Sequence, residues 1–221
     1  MAIPSAKVTI LFIQATPPDQ VSLDTGEEQR SLDAALRNAL KGDVFDWRIL
    51  PAARVIDLLP GLRRHRPHVV HFAGHGAGDS ELILNTPGGG GSHPLTAESL
   101  AETLRVYQAE ADPPVRLAVL AGCDTAEAAR LLAEHVDCAV GMAAKVSDEA
   151  IAQLFTPALY AALGDGRSVG NAVESACAEL RNHWYDATIV RPYAREGVNL
   201  AKRLSQNNFA IWTRSHIRDR V

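Results

Sequence analysis

Cysteine is scarce in this sequence: three residues among 221, an odd number with no paired spacing. This usage is typical of free thiols in a reducing compartment, so we expect a cytoplasmic protein without a disulfide framework. No Cys-x-x-Cys pair is present, and His71 and His75, four residues apart, fall on a predicted strand and not on a helix that would form a zinc motif. We therefore expect no metal and no cofactor.

The sequence also lacks a basic excess and a long apolar run. Its net charge is −4, which excludes a whole-protein electrostatic surface for nucleic acid. The apolar run at 8–13 is too short to cross a bilayer, and residues 1–6 do not have the regions of a signal peptide. A hydrophobic fraction of 47% is ordinary for a globular chain, and the length predicts a single domain over residues 1–221.

Apolar, strand-like runs alternate with helical periodicity along most of the chain. The patterns predict strands at 8–14, 46–50, 69–73, 81–84, 116–121, 138–142 and 208–213. Helices are predicted at 32–40, 55–64, 97–107, 126–134, 151–162 and 169–180, with Pro60 interrupting the second and Pro157 bending the fifth. Residues 86–93 and 185–206 are predicted to be irregular. The alternation indicates an α/β fold with a mostly parallel sheet covered by helices on both faces.

Two reactive residues follow neighbouring buried strands, at the sheet edge where open α/β folds place their sites. His75 follows VVHFAG and Cys123 follows RLAVLAG, 48 residues later. A nearby imidazole can activate a cysteine, and a helix starting just after Cys123 would favour the thiolate. Either residue alone is more often structural, because a strand-end cysteine is typically a small core residue. The pair together favours a nucleophile and its acid–base partner.

These motifs resemble those of the caspase-like cysteine peptidases, in which the histidine precedes the cysteine by about 50 residues. More specifically, the chain resembles a CHAT domain, a caspase relative akin to separase. The matching stretches are ILFIQATPPD, VVHFAGHG, ELIL, LAVLAGCDTA, CAVGMAAKVSDEAIAQLFTPALYAAL and GRSVGNAVESA, between about residues 8 and 180.

The resemblance implies a three-layer caspase-like fold, with a mostly parallel six-stranded sheet between helices. It also implies a cysteine endopeptidase that cleaves a protein substrate through a Cys-His dyad. His75 would be the general acid and base, Cys123 the nucleophile, and the backbone amides of Gly76 and Cys123 the oxyanion hole.

Asp148 is the candidate for substrate selectivity, because its position is similar to that of the aspartate with which separase-like relatives bind a basic residue before the cleaved bond. A carboxylate suits an Arg or Lys side chain through charge-assisted hydrogen bonds. The alternative is that Ser147 or Asp148 only caps the following helix. Asp124, beside the nucleophile, is a second acidic candidate, for which a capping role is the alternative.

Two other function classes remain open from the sequence. A caspase-like fold can serve as a catalytically silent interaction module, and an α/β domain can bind a nucleotide. The glycines at 88–91 lack the spacing of a phosphate-binding loop and predict a flexible flap. Because CHAT relatives are commonly coupled to sensing modules, we expect a regulatory partner protein, with bacterial defence as a hypothesis, and neither nucleic acid nor a membrane as a direct partner.

Overall fold

The computed structural model describes residues 7–200 and contains a six-stranded sheet, a three-stranded sheet and six α-helices in that range. The strands are β1 (Val8–Gln14), β2 (Phe45–Leu50), β3 (Val69–Ala73), β4 (Gly76–Ala77), β5 (Glu81–Asn85), β6 (Ser92–Leu95), β7 (Leu117–Ala121), β8 (Cys138–Met142) and β9 (Val190–Ala194). The helices are α1 (Thr25–Asn38), α2 (Val55–His65), α3 (Ala97–Gln108), α4 (Ala126–Leu132), α5 (Thr156–Gly164) and α6 (Val169–Asn182). None of the helices in this range is both long and apolar enough to cross a membrane.

The large sheet has the strand order β2-β1-β3-β7-β8-β9. All neighbouring pairs are parallel except β8 and β9. Parallel strands joined by helices place helices on both faces of a sheet, so both faces must be apolar. The predicted mostly parallel, six-stranded α/β fold is confirmed.

Alternate residues of β1 illustrate how the two faces are packed. Ile10 and Phe12 belong to the core beneath α1, α5 and α6, whereas Leu11 and Ile13 belong to the core beneath α2, α3 and α4. All four side chains are less than 5% exposed. Successive side chains of a strand point to opposite faces, so one short run contributes to both cores.

The last strand of the sheet differs from the prediction. Residues 190–194 form β9, although residues 185–206 were predicted to be irregular; the predicted strand at 208–213 lies outside the described residues. β9 is an edge strand and tolerates Pro192, because one side of its backbone needs no ladder hydrogen bond. Beside it, Arg195 donates to Asp137, with Nη2 2.6 Å from Oδ1.

The structure also differs from the sequence prediction at two prolines and at the glycine-rich stretch. α2 continues through Pro60, stabilised by the burial of Leu58 and Leu62. A π-helical segment, Ala150–Phe155, precedes Pro157 in place of a simple bend. The glycine-rich stretch predicted as a loop at 86–93 is the turn between β5 and β6, and β6 already begins at Ser92.

Candidate functional site

The register between β3 and β7 brings the two predicted catalytic residues together. Ala73 pairs with Ala121 at the carboxyl ends of these strands, and each alanine is followed by a glycine. His75 and Cys123 therefore stand at corresponding positions, each two residues beyond the paired alanines. Both line one pocket of about 200 Å³. The sequence prediction that the two side chains converge on one site is consistent with this geometry.

Glycine is required where the backbones after β3 and β7 touch. A Cβ atom on Gly76 would lie 1.8 Å from the carbonyl oxygen of Cys123, and one on Gly122 would lie 2.7 Å from that of Gly74. Both distances are far below van der Waals contact, so no other residue fits without moving the backbone. The backbone around Gly76 therefore lies against the backbone around Gly122 and Cys123, and these segments carry the two predicted oxyanion donors.

The imidazole of His75 is oriented by a main-chain carbonyl. Its Nε2 lies 2.7 Å from the carbonyl oxygen of Val21, which precedes α1. A carbonyl only accepts, so Nε2 carries the hydrogen and donates it. In the neutral ring Nδ1 then keeps its lone pair and is the nitrogen free to accept a proton. Sequence reasoning did not identify Val21, because a backbone carbonyl leaves no signature in the residue type.

The thiol of Cys123 is half-buried and contacts the segment that follows β8. The backbone N–H of Val146 donates to Sγ over 3.5 Å. Sγ also lies 3.6 Å from the carbonyl oxygen of Val146, to which the thiol donates, so both backbone groups of this residue hold the sulfur in place. The other two cysteines, Cys138 and Cys177, are buried in the core, as the sequence predicted.

Thr125 stabilises the turn that carries Cys123, the predicted nucleophile. Its fully buried hydroxyl lies 2.9 Å from the carbonyl oxygen of Gly122 and 3.0 Å from that of Leu120, and it accepts from the N–H of Met142 over 3.0 Å. One side chain thus joins the ends of β7 and β8. The predicted helix follows directly, since α4 begins at Ala126.

We expect Thr125→Val to lower the free energy of unfolding by about 1–3 kcal/mol, because it leaves buried backbone groups without their partner. Thr125→Ser keeps the hydroxyl and is the matched control. Urea unfolding of both variants measures the difference. Equal losses in the two variants would contradict this expectation, because they would show that the hydroxyl contributes no more to stability than the methyl group does.

Asp124 lies in the left-handed region of the backbone, with φ of 54°. Its carbonyl oxygen accepts a hydrogen bond from Ser80, 3.0 Å from Oγ. Asp124 is not one of the residues that line the pocket of His75 and Cys123, and the N-cap residue of α4, Thr125, makes no side-chain capping hydrogen bond. The structure therefore does not bring this candidate to the pocket, and the capping alternative has no hydrogen bond to support it.

Asp148 does line the pocket, together with His75 and Cys123. The cap of the following helix is Ser147, whose Oγ accepts from the N–H of Ala150 over 3.2 Å. Asp148 is therefore not needed for capping. Partial loss of hydration raises the pKa of its carboxyl group above the ordinary value, and the negative charges of Glu28 and Asp24 act in the same direction, whereas His75 opposes them.

Part of the pocket lining comes from the start of α1 and the segment before it, which the sequence prediction did not include in the site. Its lining residues are Val21, Leu23, Asp24, Thr25 and Glu28. Glu28 is only 4% exposed. A signal was available, because Glu28 precedes Leu32 and Leu36 at four-residue spacing and so lies on the buried face of the helix.

Comparisons with known proteins identify the family and the fold. A family model described as the CHAT domain matches residues 7–213. Among solved structures, the chain is similar to a secreted C11 cysteine protease from Bacteroides thetaiotaomicron, determined in complex with an irreversible peptide inhibitor. The identity is 12% and the TM-score 0.55, and the alignment covers 80% of this chain and 59% of that chain, less than two thirds of it. This likeness confirms the predicted caspase-like fold. A comparison with curated protein sequences gives no match.

Proposed function

The chain belongs to the CHAT domain family of caspase-like cysteine peptidases, and on this premise we propose that it is a cysteine endopeptidase that cleaves a protein substrate. The observation that supports the proposal most is the β3–β7 register, which carries His75 and Cys123 into one pocket. The pocket also has the oriented imidazole that a cysteine nucleophile requires.

In the proposed reaction, Sγ of Cys123 transfers its proton to Nδ1 of His75 and attacks the carbonyl carbon of the substrate. The backbone N–H groups of Gly76 and Cys123 stabilise the negative oxygen that forms. His75 then gives the proton to the departing amine as the C–N bond breaks, leaving a thioester. The same imidazole activates water, which hydrolyses the thioester and restores the thiol.

We propose that the residue before the cleaved bond, the P1 residue, is basic and is bound by Asp148. The carboxylate of Asp148 is free of capping and shares the pocket with both members of the dyad. We assign this role to Asp148 and not to Asp124, because Asp124 does not line the pocket. Among the described residues, the pocket lining includes the carboxylates of Asp24, Glu28 and Asp148 and no lysine or arginine, which gives the pocket a negative electrostatic potential.

Asp148→Asn is expected to lower kcat/KM for a peptide with arginine at P1 by about tenfold to a hundredfold, because a charge-assisted hydrogen bond is lost. A peptide with citrulline, the uncharged analogue of arginine, should be unaffected. The comparison uses fluorogenic peptides that differ only at P1. Glu149→Gln is the matched control, since Glu149 is the exposed neighbour that does not line the pocket. A preference for arginine that survives in Asp148→Asn would contradict the assignment.

We further propose that the peptidase acts in the cytoplasm under the control of a partner protein, in a setting such as bacterial defence. Three free thiols and the family's frequent coupling to sensing modules support this view. Capture of binding proteins from the native host, followed by peptidase assays with and without them, tests it. A chain that is fully active alone and binds nothing would contradict it.

A further inference from the structure

The pocket contains an acidic side chain to which the proposed reaction gives no role. Three carboxylates line it: Asp24, Glu28 and Asp148. Oδ1 of Asp24 already caps α1, accepting from a backbone N–H over 2.8 Å. Asp148 is exposed at the mouth. Glu28 is the buried member of the set, which places it at the floor of the pocket.

One oxygen of Glu28 is held firmly from two sides. Oε1 accepts from Nε2 of His71, on β3, and from Oγ1 of Thr156, at the start of α5, each over 2.8 Å. The ring of His71 is itself fixed, because it stacks on Phe12 with centroids 4.9 Å apart and its Nδ1 lies 3.1 Å from the hydroxyl of Tyr160. These contacts set the direction of the carboxylate before any substrate arrives.

The other oxygen is left for a ligand. Within residues 7–200, Oε2 of Glu28 accepts no hydrogen bond. His71 is 2.8 Å from Oε1, so a positively charged guest at Oε2 would add a second favourable partner and offset part of the free-energy cost of burying this carboxylate. Two neighbouring groups have raised pKa values, chiefly because burial disfavours their charged forms. The pKa of Asp148 is above its ordinary value and that of Tyr160 well above it, and the negative charge of Glu28 contributes to both shifts.

We propose that Glu28 is the floor carboxylate of the P1 pocket and that, together with Asp148 at the mouth, it selects arginine over lysine. The proposal rests on the peptidase function proposed above and extends it to a second specificity residue. A guanidinium presents five N–H donors in a planar fork and can bridge two carboxylates at different depths. An ammonium is a compact point charge and engages one end of such an arrangement. A pocket of about 200 Å³ is smaller than the sites that hold drug-sized ligands and suits a single long side chain.

The test compares kcat/KM for matched peptides with arginine, lysine or citrulline at P1. We expect the wild type to prefer arginine to lysine by at least about tenfold, and Glu28→Gln to lose most of that preference. The amide of glutamine keeps a carbonyl oxygen for His71 and Thr156, so the variant removes the charge with little change of shape. Glu27→Gln is the matched control, because Glu27 is partly exposed, pairs with Arg30 at 2.5 Å and does not line the pocket.

The citrulline peptide separates recognition from a structural role. If Glu28 only supported the fold, Glu28→Gln would lower the rates for all three peptides equally, and the proposal would be overturned. If Glu28→Gln does not fold, Thr156→Val is the alternative variant, because it keeps the charge of Glu28 and removes one of the two hydrogen bonds that hold its carboxylate. We then expect the arginine-to-lysine ratio to fall severalfold while the arginine-to-citrulline ratio is largely kept; an unchanged arginine-to-lysine ratio would overturn the proposal.

A binding measurement on an inactive variant tests the role of Glu28 independently of the proposed peptidase activity. Calorimetry of Cys123→Ala with a short acetylated peptide ending in arginine amide should give a dissociation constant about tenfold higher when Glu28→Gln is added. If the wild type hydrolyses none of the peptides but Glu28→Gln still weakens binding of the arginine peptide, only the peptidase proposal is contradicted. Hydrolysis after arginine by the wild type, with no change in Glu28→Gln, would overturn the role of Glu28 alone.

Discussion

Replacing Cys123 by alanine is expected to lower kcat/KM for peptide hydrolysis by at least about a thousandfold, because no other group in the pocket can form the thioester. His75→Ala should cost about a hundredfold to ten-thousandfold, since the proton must then move without a positioned acid and base. Both variants should keep the wild-type melting temperature within a few degrees, because neither side chain fills the core. Continuous assays with a fluorogenic peptide and thermal unfolding measure the two effects separately.

The control for the nucleophile is another cysteine of the same chain. Burial raises the pKa of Cys138 to about 12 and also raises that of Cys177, so neither is a thiolate near neutral pH. Cys177→Ala should therefore retain full activity. Activity that persists in Cys123→Ala, or disappears in a folded Cys177→Ala, would contradict the assignment of the nucleophile.

The second large effect is expected at Gly76, where a single methyl group has no space. An added Cβ would lie 1.8 Å from the carbonyl oxygen of Cys123 and 3.0 Å from Cγ2 of Thr125, so Gly76→Ala must displace the nucleophile turn. A displacement of about 1 Å is enough to cost on the order of a hundredfold in rate. We also expect a loss of about 1–3 kcal/mol in the free energy of unfolding, typical of an overpacked site.

Gly78→Ala provides the matched control two residues away. A Cβ atom at Gly78 would meet nothing within 4 Å, so that variant should resemble the wild type in both rate and stability. Urea unfolding and kcat/KM on the same peptide give the comparison. Equal activity of the two alanine variants would mean that the contact between the β3 and β7 turns is not needed for catalysis.

The core of the fold was predictable because its strands are buried on both faces. Runs such as VTILFIQ and LAVLA are apolar at nearly every position, and the predicted bounds 8–14, 69–73 and 138–142 agree with the structure. The edge strand β9 was not predictable in this way. Its sequence VRPYA contains a charge and a proline, which an edge accepts because only one side of it needs hydrogen bonds.

The candidate site likewise contains residues that a sequence pattern indicates and residues that it does not. His75 and Cys123 were predicted from the sequence as the candidate pair because each follows a buried strand by two residues, and parallel strands bring their ends to one edge. Val21 was missed because it acts through its carbonyl group, and any residue has one. For Glu28, the four-residue spacing with Leu32 and Leu36 indicates only that it is buried. Its proposed role depends on contacts with His71 and Thr156, 43 and 128 residues away, which no local pattern encodes.

The most direct test of the central claim is covalent labelling by peptidyl acyloxymethyl ketones with arginine or aspartate at the reactive position. Mass spectrometry of intact wild type and Cys123→Ala gives the stoichiometry, and peptide mapping gives the site. We predict one equivalent of the arginine probe on Cys123, no labelling of Cys123→Ala, and little reaction with the aspartate probe. Labelling by the aspartate probe alone would keep the nucleophile and contradict the role of Asp148. Labelling at another cysteine, or by neither probe even with the captured partners added, would contradict the peptidase and favour a catalytically silent interaction module.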